Sequence, residues 1–200
     1  IVLFFTLIIT FSLLDISQLH SIQAIEKTFR DALFQVSSMM TTTGFATADY
    51  TLWMPVTWIV LLLVMITGAS AGSTAGGVKL IRIVIVFKFC YYEFKRFIHP
   101  NAVLPVRYNE HIVKDDTMTR ILAFITLYLM IAAFGILILT ISGMGFLESV
   151  GGLISCLGDV GPGLGSNGPM GSYADTPTFS KWFLALIMLV GRLELFTVLL

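Results

Sequence analysis

The feature that most constrains the fold of this chain is a series of long apolar runs, which polar turns interrupt. Five such runs occupy residues 1–14, 54–67, 78–92, 121–141 and 182–200. Several of them approach or exceed the ~20 residues that a helix needs to cross a bilayer. Charged residues make up only 12% of the chain, against roughly 25% in an ordinary soluble domain. The sequence therefore predicts an all-α membrane protein.

Charge and cysteine content exclude several other classes of protein. The formal net charge is zero, so we expect no bulk attraction to nucleic acid and no nucleic-acid partner. Cys90 and Cys156 stand far apart and offer neither a metal-ligand spacing nor a disulfide framework, so we interpret them as small buried residues. The first apolar run has no basic n-region and no cleavage site, so it is not predicted to be a signal peptide. We expect the chain to be part of a longer membrane protein.

Two helical segments are too short or too charged to cross a membrane, and a polar, glycine-containing turn follows each of them. Residues 22–40 repeat apolar side chains at helical spacing, but their first half is charged. Residues 145–157 would form a helix of roughly 20 Å. The turns that follow read TTTGF at 41–45 and GDVGPG at 158–163. We expect both helices to enter the membrane part-way and to stop at these turns.

The chemistry of the two turns favours a cation. A helix C-terminus carries a partial negative charge of about half an electron, and turn carbonyls can replace the water shell of an ion, as in potassium filters. Glycine permits the backbone angles that direct successive carbonyls toward one axis. The first turn has no soft or charged ligand, which favours a hard monovalent ion over a transition metal. The alternative is that TTTG is only a helix end with a glycine C-cap.

A glycine-rich stretch, GASAGSTAGG at 68–77, interrupts the helical pattern between residues 55 and 92. An unbroken helix there would be roughly 55 Å long, whereas the hydrocarbon core is about 30 Å thick. We therefore expect a break within the membrane, inside protein or beside water. Two other interpretations remain open. One is a phosphate cradle, although the stretch lacks the Gly-Lys-Ser/Thr ending; the other is a small-residue packing face between helices.

Basic residues indicate the orientation of the chain. They cluster around residues 91–120, as Lys88, Lys95, Arg96, Arg107, Lys114 and Arg120, and the positive-inside rule makes this region cytoplasmic. Tyr50 and Trp53 are then expected at the opposite membrane interface. Residues 118–142 form a full-length helix and 181–200 the last one. The order helix, short helix, turn, helix thus occurs twice in one orientation, unlike an inverted repeat, and suits a pore normal to the membrane.

Five ordered segments resemble motifs of the TrkH potassium-uptake subunits, within the Trk/Ktr/HKT superfamily. They are TTTGFATADY at 41–50, the glycine stretch with Val-Lys at 68–79, FKRFIHPNAV at 94–103, GPGLG at 161–165 and GRLELFT at 191–197. The resemblance implies a pore of four helix–turn–helix repeats. Residues 1–90 would be the third repeat with its first helix truncated, 91–116 a cytoplasmic loop, and 117–200 the fourth repeat with its last helix truncated.

The resemblance also implies the functional residues. The potassium-binding positions, acting mainly through carbonyls, would be Thr42, Thr43, Gly44, Asp159, Val160 and Gly161. A gate beneath this filter would comprise Gly68, Gly72, Ser73, Thr74, Gly76, Gly77 and Arg192. The family often carries asparagines where this chain has Gly158-Asp159. Asp159 would either raise the local cation density and alter selectivity, or point into the protein and accept hydrogen bonds.

Arg192 lies within an apolar run, where an ionisable side chain indicates a functional position by default. The resemblance places it under the filter, where a fixed positive charge would oppose cations while the gate is shut. The alternative is a structural partner, namely a loop carbonyl or Glu194. The Glu194 pair is disfavoured, because residues two apart face different sides of a helix.

The function that the resemblance implies is potassium uptake across the bacterial inner membrane through a gated filter. Potassium would be the transported ligand, with no cofactor in the chain. The expected partners are a second copy in a homodimer, membrane lipids, and a nucleotide-binding, TrkA-like regulatory subunit that docks on 91–116. A secondary transporter that couples potassium to sodium or proton movement is the alternative. An enzyme with Ser70 or Ser73 as nucleophile would need a base, and the neighbouring apolar runs contain no histidine.

Overall fold

The computed structural model of the chain describes residues 1–14, 22–69, 76–98, 106–108, 111–113 and 115–192. These residues contain seven α-helices, which are α1 Val2–Leu13, α2 Ile22–Met40, α3 Pro55–Thr67, α4 Leu80–Ile98, α5 Asp115–Ile141, α6 Phe146–Leu157 and α7 Thr178–Arg192. Single turns of 3-10 helix lie in the connections, at Tyr50–Leu52, Gly165–Asn167 and Tyr173–Asp175. The helical architecture agrees with the predicted all-α class.

A short antiparallel hairpin precedes α5, within the segment that we expected to be a loop. Its strands are β1 Arg107–Tyr108 and β2 His111–Ile112. The Lys88 ammonium of α4 donates to the Arg107 carbonyl oxygen at 3.2 Å and ties the hairpin to that helix. Helix α4 itself continues to Ile98. The predicted loop 91–116 is therefore helical in its first part and contains a hairpin later.

Local chemistry explains where the helices begin and end. Helix α3 begins at Pro55, because the missing N–H of proline costs nothing in a first turn. It ends before Gly68, whose φ of +56° suits glycine. Helix α5 begins with Asp115 and Asp116, whose negative charges complement the positive end of the helix dipole.

Helix α5 has the length and composition to cross a membrane. It contains 27 residues, which corresponds to about 40 Å of helix, more than the hydrocarbon thickness of about 30 Å. Only 22% of its most apolar 18-residue window is buried inside the protein. Among the described helices, α1, α3 and α6 are also apolar but are shorter than a full span. For α6, this length agrees with the prediction of a helix too short to cross the membrane.

Helix α6 is the central element of the described fold. Residues 151–158 are all buried. Ile154 packs into a cluster with α1, α2 and α3, while Leu153 and Leu157 pack into a second cluster with α5 and α7. Small residues bring the neighbouring elements close. Leu164 lies so close to Gly151 that a side chain at position 151 would collide with it. Membrane helices pack through such small-residue contacts, because no hydrophobic driving force acts between them in lipid.

Candidate cation site

The two polar turns have the same hydrogen-bonded geometry. In each turn, three successive backbone N–H groups donate to carbonyls four, three and five residues back, over 2.9–3.2 Å. The donors are Thr41, Thr42 and Thr43 after α2, and Gly158, Asp159 and Val160 after α6. This pattern is a Schellman motif. The first turn is thus a helix C-cap, but its left-handed residue after the cap is Thr42 and not the glycine that the alternative interpretation placed there.

Each motif has a residue other than glycine at its left-handed position. Thr42 has a φ of +54° and Asp159 a φ of +56°. A left-handed conformation at such a residue costs of order 1–3 kcal/mol and persists only where the surrounding structure imposes it. In each turn a glycine with positive φ follows two residues later, Gly44 at +76° and Gly161 at +111°. The two turns therefore share backbone conformation as well as hydrogen bonds.

The alternation of backbone handedness leaves carbonyl oxygens unused. Within the described residues, no N–H or O–H donates to the carbonyls of Thr42, Thr43, Gly44, Asp159 or Val160. Val160 is buried, and a backbone carbonyl away from water normally requires a partner, which a cation can supply. Gly161 differs, because its carbonyl accepts a hydrogen bond from the Tyr173 hydroxyl at 3.2 Å.

The two turns contact each other directly. A side chain at Gly44 would collide with the Val160 carbonyl oxygen, and it would lie 3.2 Å from Cδ of Pro162. The backbones therefore approach as closely as only glycine permits. The six predicted potassium-binding residues come from turns that the tertiary structure brings together. Their role as ligands stays a prediction.

Two tyrosine hydroxyls hold the second turn, and the sequence did not reveal this role. Tyr50 OH donates to the Gly163 carbonyl at 2.8 Å, in addition to the bond from Tyr173 to Gly161. We expected Tyr50 at a membrane interface, but it is fully buried. Burial, and secondarily the charge of Asp49, raise the pKa of the Tyr50 hydroxyl, so it remains a neutral donor. Its position at the end of the 41–50 motif was the available signal.

The predicted gate is described in part. Gly68, Gly76, Gly77 and Arg192 fall within the described residues, whereas Gly72, Ser73 and Thr74 lie outside them. The two ends of the stretch 68–77 meet, since a side chain at Gly68 would lie 2.6 Å from the Gly76 carbonyl oxygen. The Val78 N–H donates across the break to the Ile66 carbonyl at 2.9 Å. The predicted break between two helices, α3 and α4, is therefore present.

This break lies against the second turn. A side chain at Gly76 would lie 2.5 Å from the Gly158 carbonyl oxygen and 3.2 Å from Oδ2 of Asp159. Gly191 of α7 similarly packs on the carbonyl of Leu157. Small residues on two elements thus allow backbone to approach the C-terminal end of α6, where the helix dipole is negative.

Arg192 lies close enough to Asp159 for its charge to act on the carboxylate, against the larger, opposing effect of burial. The positive charge of Arg192 acts favourably on the Asp159 carboxylate. The Asp159 side chain lies partly inside the protein, and its Oδ2 is buried without a hydrogen bond from any described residue. We considered that Asp159 accepts hydrogen bonds inside the protein. Within the described residues, its Oδ2 accepts none. Glu194, the other expected partner of Arg192, lies outside the described residues.

Oxygen atoms of the backbone dominate the site. Within the described part of the chain, no group of three or more His, Cys, Asp or Glu side chains is placed to hold a metal ion. The arrangement offers carbonyl oxygens, threonine hydroxyls and one carboxylate, which are hard ligands.

Sequence comparison assigns the class and the family. A model of the TrkH family, described as a cation transport protein, matches residues 1–200. The Trk system potassium uptake protein TrkI of Halomonas elongata is 35% identical over 167 residues, which are 83% of this chain and 34% of that protein. TrkH of Vibrio parahaemolyticus is 35% identical over 183 residues, which are 90% of this chain and 37% of that protein.

Structural comparison agrees with the sequence matches. The crystal structure of the potassium transporter TrkH from Vibrio parahaemolyticus has a TM-score of 0.88 and 32% sequence identity, with 100% of this chain and 42% of that chain covered. These matches define the class as cation transport proteins. The chain belongs to the TrkH family. It spans about a third of the length of the curated relatives that it matches.

Proposed function

We propose that the chain supplies two repeats of a gated, potassium-conducting membrane pore, in which turns 41–45 and 158–163 line the ion path. The observation that carries this proposal is the contact of Gly44 with the Val160 carbonyl, between two turns of equal backbone geometry. The potassium ion is supported by the names of the relatives, which are potassium uptake proteins.

The mechanism uses helix ends and main-chain oxygens. Helices α2 and α6 direct their C-terminal ends, with about half an electron of negative charge each, at the contact between the turns. A potassium ion that leaves water loses its hydration shell, and a ring of carbonyls replaces that shell at low energetic cost when it is already oriented. The unused carbonyls of Thr43 and Val160, among others, are the oxygens for this task.

The gate in this proposal is the glycine-rich break. Gly76 already contacts the end of α6 at Gly158, so a shift of 68–77 changes the space immediately beside the filter turn. Glycine permits such shifts at little steric cost. Arg192 places a positive charge near Asp159, and in the closed state this charge opposes a cation in the path.

The rest of the proposal concerns the complete protein. Residues 1–90 and 117–200 are the third and fourth of four pore repeats, in a bacterial inner membrane among lipids. Two copies assemble as a homodimer, and a nucleotide-binding regulatory subunit docks on 91–116. The Trk system names of the relatives support such a multi-component assembly. The chain performs no bond-making chemistry and binds no cofactor of its own in this function.

Substitution of Gly44 tests the ion path. In the full-length protein, Gly44→Ser places a side chain into the Val160 carbonyl and should lower the preference for potassium over sodium by about tenfold, a change of about 1.4 kcal/mol. Rubidium and sodium uptake in transport-deficient cells measures this ratio. Gly143→Ser is the matched control, because Gly143 also has a positive φ but has no atom within 4 Å. An unchanged ratio in Gly44→Ser would contradict the proposal.

Coupled transport is the second candidate, because the break between α3 and α4 is also typical of secondary transporters. It predicts potassium uptake against its own gradient when a sodium or proton gradient is imposed. Passive conduction predicts that net flux stops at the potassium equilibrium potential. Flux measurements in proteoliposomes with each gradient imposed in turn distinguish the two.

A further inference from the structure

A second polar cavity lies on the loop side of α6, and none of the predicted filter residues lines it. Its volume is about 200 Å³. Polar side chains from three elements line it, namely Glu148 of α6, Ser166 and Asn167 of one 3-10 turn, and Ser172, Asp175 and Thr176 around the other. The cavity therefore lies where the long connection between α6 and α7 folds back on the start of α6.

Asn167 is the residue that requires an occupant. Its side chain is 1% exposed, and neither Oδ1 nor Nδ2 has a hydrogen-bond partner among the described residues. Leaving a buried polar group unsatisfied costs about 1–3 kcal/mol. Its own backbone carbonyl accepts from the Gly163 N–H at 2.7 Å, so the residue is held in place. A cation that retains a water molecule would satisfy both ends of the amide.

Two carboxylates complete the ligand set. The carboxylate of Glu148 lies against the backbones of Gly145 and Gly165. Asp175 lines the same cavity from the opposite loop. Two carboxylates, an amide oxygen and serine hydroxyls are the all-oxygen donor set of a hard divalent cation.

These two carboxylates have no cationic partner in the part of the chain that the structure describes. Within the described residues, neither Glu148 nor Asp175 forms an ion pair. The nearby ammonium of Lys181 instead donates to the Ala174 carbonyl. Glu148 does gain from the helix dipole, because it lies in the first turn of α6. Two negative charges still face one small cavity.

We propose that this cavity binds a divalent cation, with Ca²⁺ as the best fit to its flexible oxygen ligands. The ion would bind Glu148, Asn167 and Asp175 together and so connect α6 to both 3-10 turns. Asn167 bonds to Gly163 through its carbonyl, and the adjacent Tyr173 bonds to Gly161. The bound cation thus stiffens the loop that supports the second turn. The proposal goes beyond potassium conduction and does not depend on it.

Terbium luminescence tests this site in the full-length, detergent-solubilised protein at constant ionic strength. Tb³⁺ replaces Ca²⁺ on oxygen ligands, and the adjacent Tyr173 can sensitise its emission. We expect emission that Ca²⁺ displaces with a Kd in the range of about 10⁻⁴–10⁻³ M. Glu148→Gln and Asp175→Asn should each weaken Ca²⁺ binding about tenfold, and Asn167→Asp should tighten it, because affinity follows ligand charge.

Glu26→Gln is the matched control, since Glu26 is 71% exposed on α2 and its loss should leave binding unchanged. If Glu148→Gln does not fold, Asp175→Asn and Asn167→Asp carry the test. Absence of Ca²⁺-displaceable emission would overturn the proposal, and so would equal emission in Asp175→Asn, or displacement by potassium as strong as by Ca²⁺. Rubidium uptake by the same protein after reconstitution in liposomes shows separately whether the pore functions.

Discussion

Thr42 and Asp159 have equivalent roles at two distant positions in the chain. Each follows a short helix, has a left-handed backbone and precedes a glycine of positive φ by two residues. Threonine is an unfavourable residue for that conformation, because its branched Cβ crowds the backbone. Strain of this kind indicates a site where the surrounding structure imposes geometry for a purpose. In the proposed pore, that purpose is the orientation of carbonyls toward the contact between the turns.

Tyr50 provides a prediction at the scale of one hydroxyl. Tyr50→Phe removes the hydrogen bond to the Gly163 carbonyl and keeps the ring, so it should lower stability by about 1 kcal/mol. Thermal unfolding of the full-length protein measures this loss. Tyr91→Phe is the control, because Tyr91 is 65% exposed. Equal midpoints for the two variants would show that the Tyr50 hydroxyl contributes nothing to stability.

Arg192 provides a prediction about flux. Arg192→Ala removes the positive charge near Asp159 and should raise potassium flux several-fold, because a like charge no longer opposes the ion. Arg192→Lys keeps the charge and should remain near the original rate. Rubidium uptake compares the three proteins. A rate for Arg192→Ala at or below the original would argue against an electrostatic barrier at this position.

At the scale of elements, the C-terminal end of α6 packs against the break between α3 and α4. This end is buried. The Gly158 carbonyl lies beside Gly76 of the break, and the Leu157 carbonyl lies beside Gly191 of α7. A helix end with partial negative charge is normally capped or solvated. The end of α6 is capped by its own turn, and the backbone of Gly76 lies directly against it, which is why we propose the gate at this contact.

Gly76→Ala tests that contact without changing backbone preference, because Gly76 does not have a positive φ. The added methyl group would lie 2.5 Å from the Gly158 carbonyl oxygen, so the break must shift. We expect uptake to change at least several-fold, with expression retained. Gly152→Ala is the control, because Gly152 also lacks a positive φ and its added methyl group would meet its nearest atoms at ordinary contact distances of 3.5–3.7 Å, so uptake should stay near the original value. If Gly76→Ala leaves uptake unchanged, the contact between Gly76 and Gly158 has no part in gating.

The helices show how much local pattern predicts. The apolar spacing over 22–40 gave the bounds of α2, which are Ile22–Met40, and the short segment 145–157 corresponds to α6. The extension of α4 to Ile98 and the hairpin at Arg107–Tyr108 were missed. Basic residues suggested a loop there, but charged side chains are also common on an exposed helix. Two-residue strands have no periodicity that a sequence could display.

At the scale of the whole molecule, the described fold is a part of a family architecture. The TM-score of 0.88 covers all of this chain but 42% of the related structure. The many large apolar side chains on its surface, such as Phe11 at 85% and Phe134 at 61% exposure, suit contact with lipid or with further repeats.

That architecture yields a prediction about the isolated chain of 200 residues. If four repeats enclose the path, a chain with two cannot close it and should not conduct. Reconstitution in liposomes, with potassium flux measured beside the full-length protein as a positive control, tests this. Flux from the isolated chain, at a rate above that of empty liposomes, would contradict the four-repeat pore.

The sequence by itself determined the class of this protein, because hydropathy, helix length and glycine placement act locally along the chain. It also located both turns and the broken helix. Only the tertiary structure decided that Gly44 meets Val160, that Tyr50 supports Gly163, and that Gly76 lies beside Asp159. These contacts join residues far apart in the chain. The packing between elements decides these contacts, and no local sequence pattern predicts which backbone a glycine will contact.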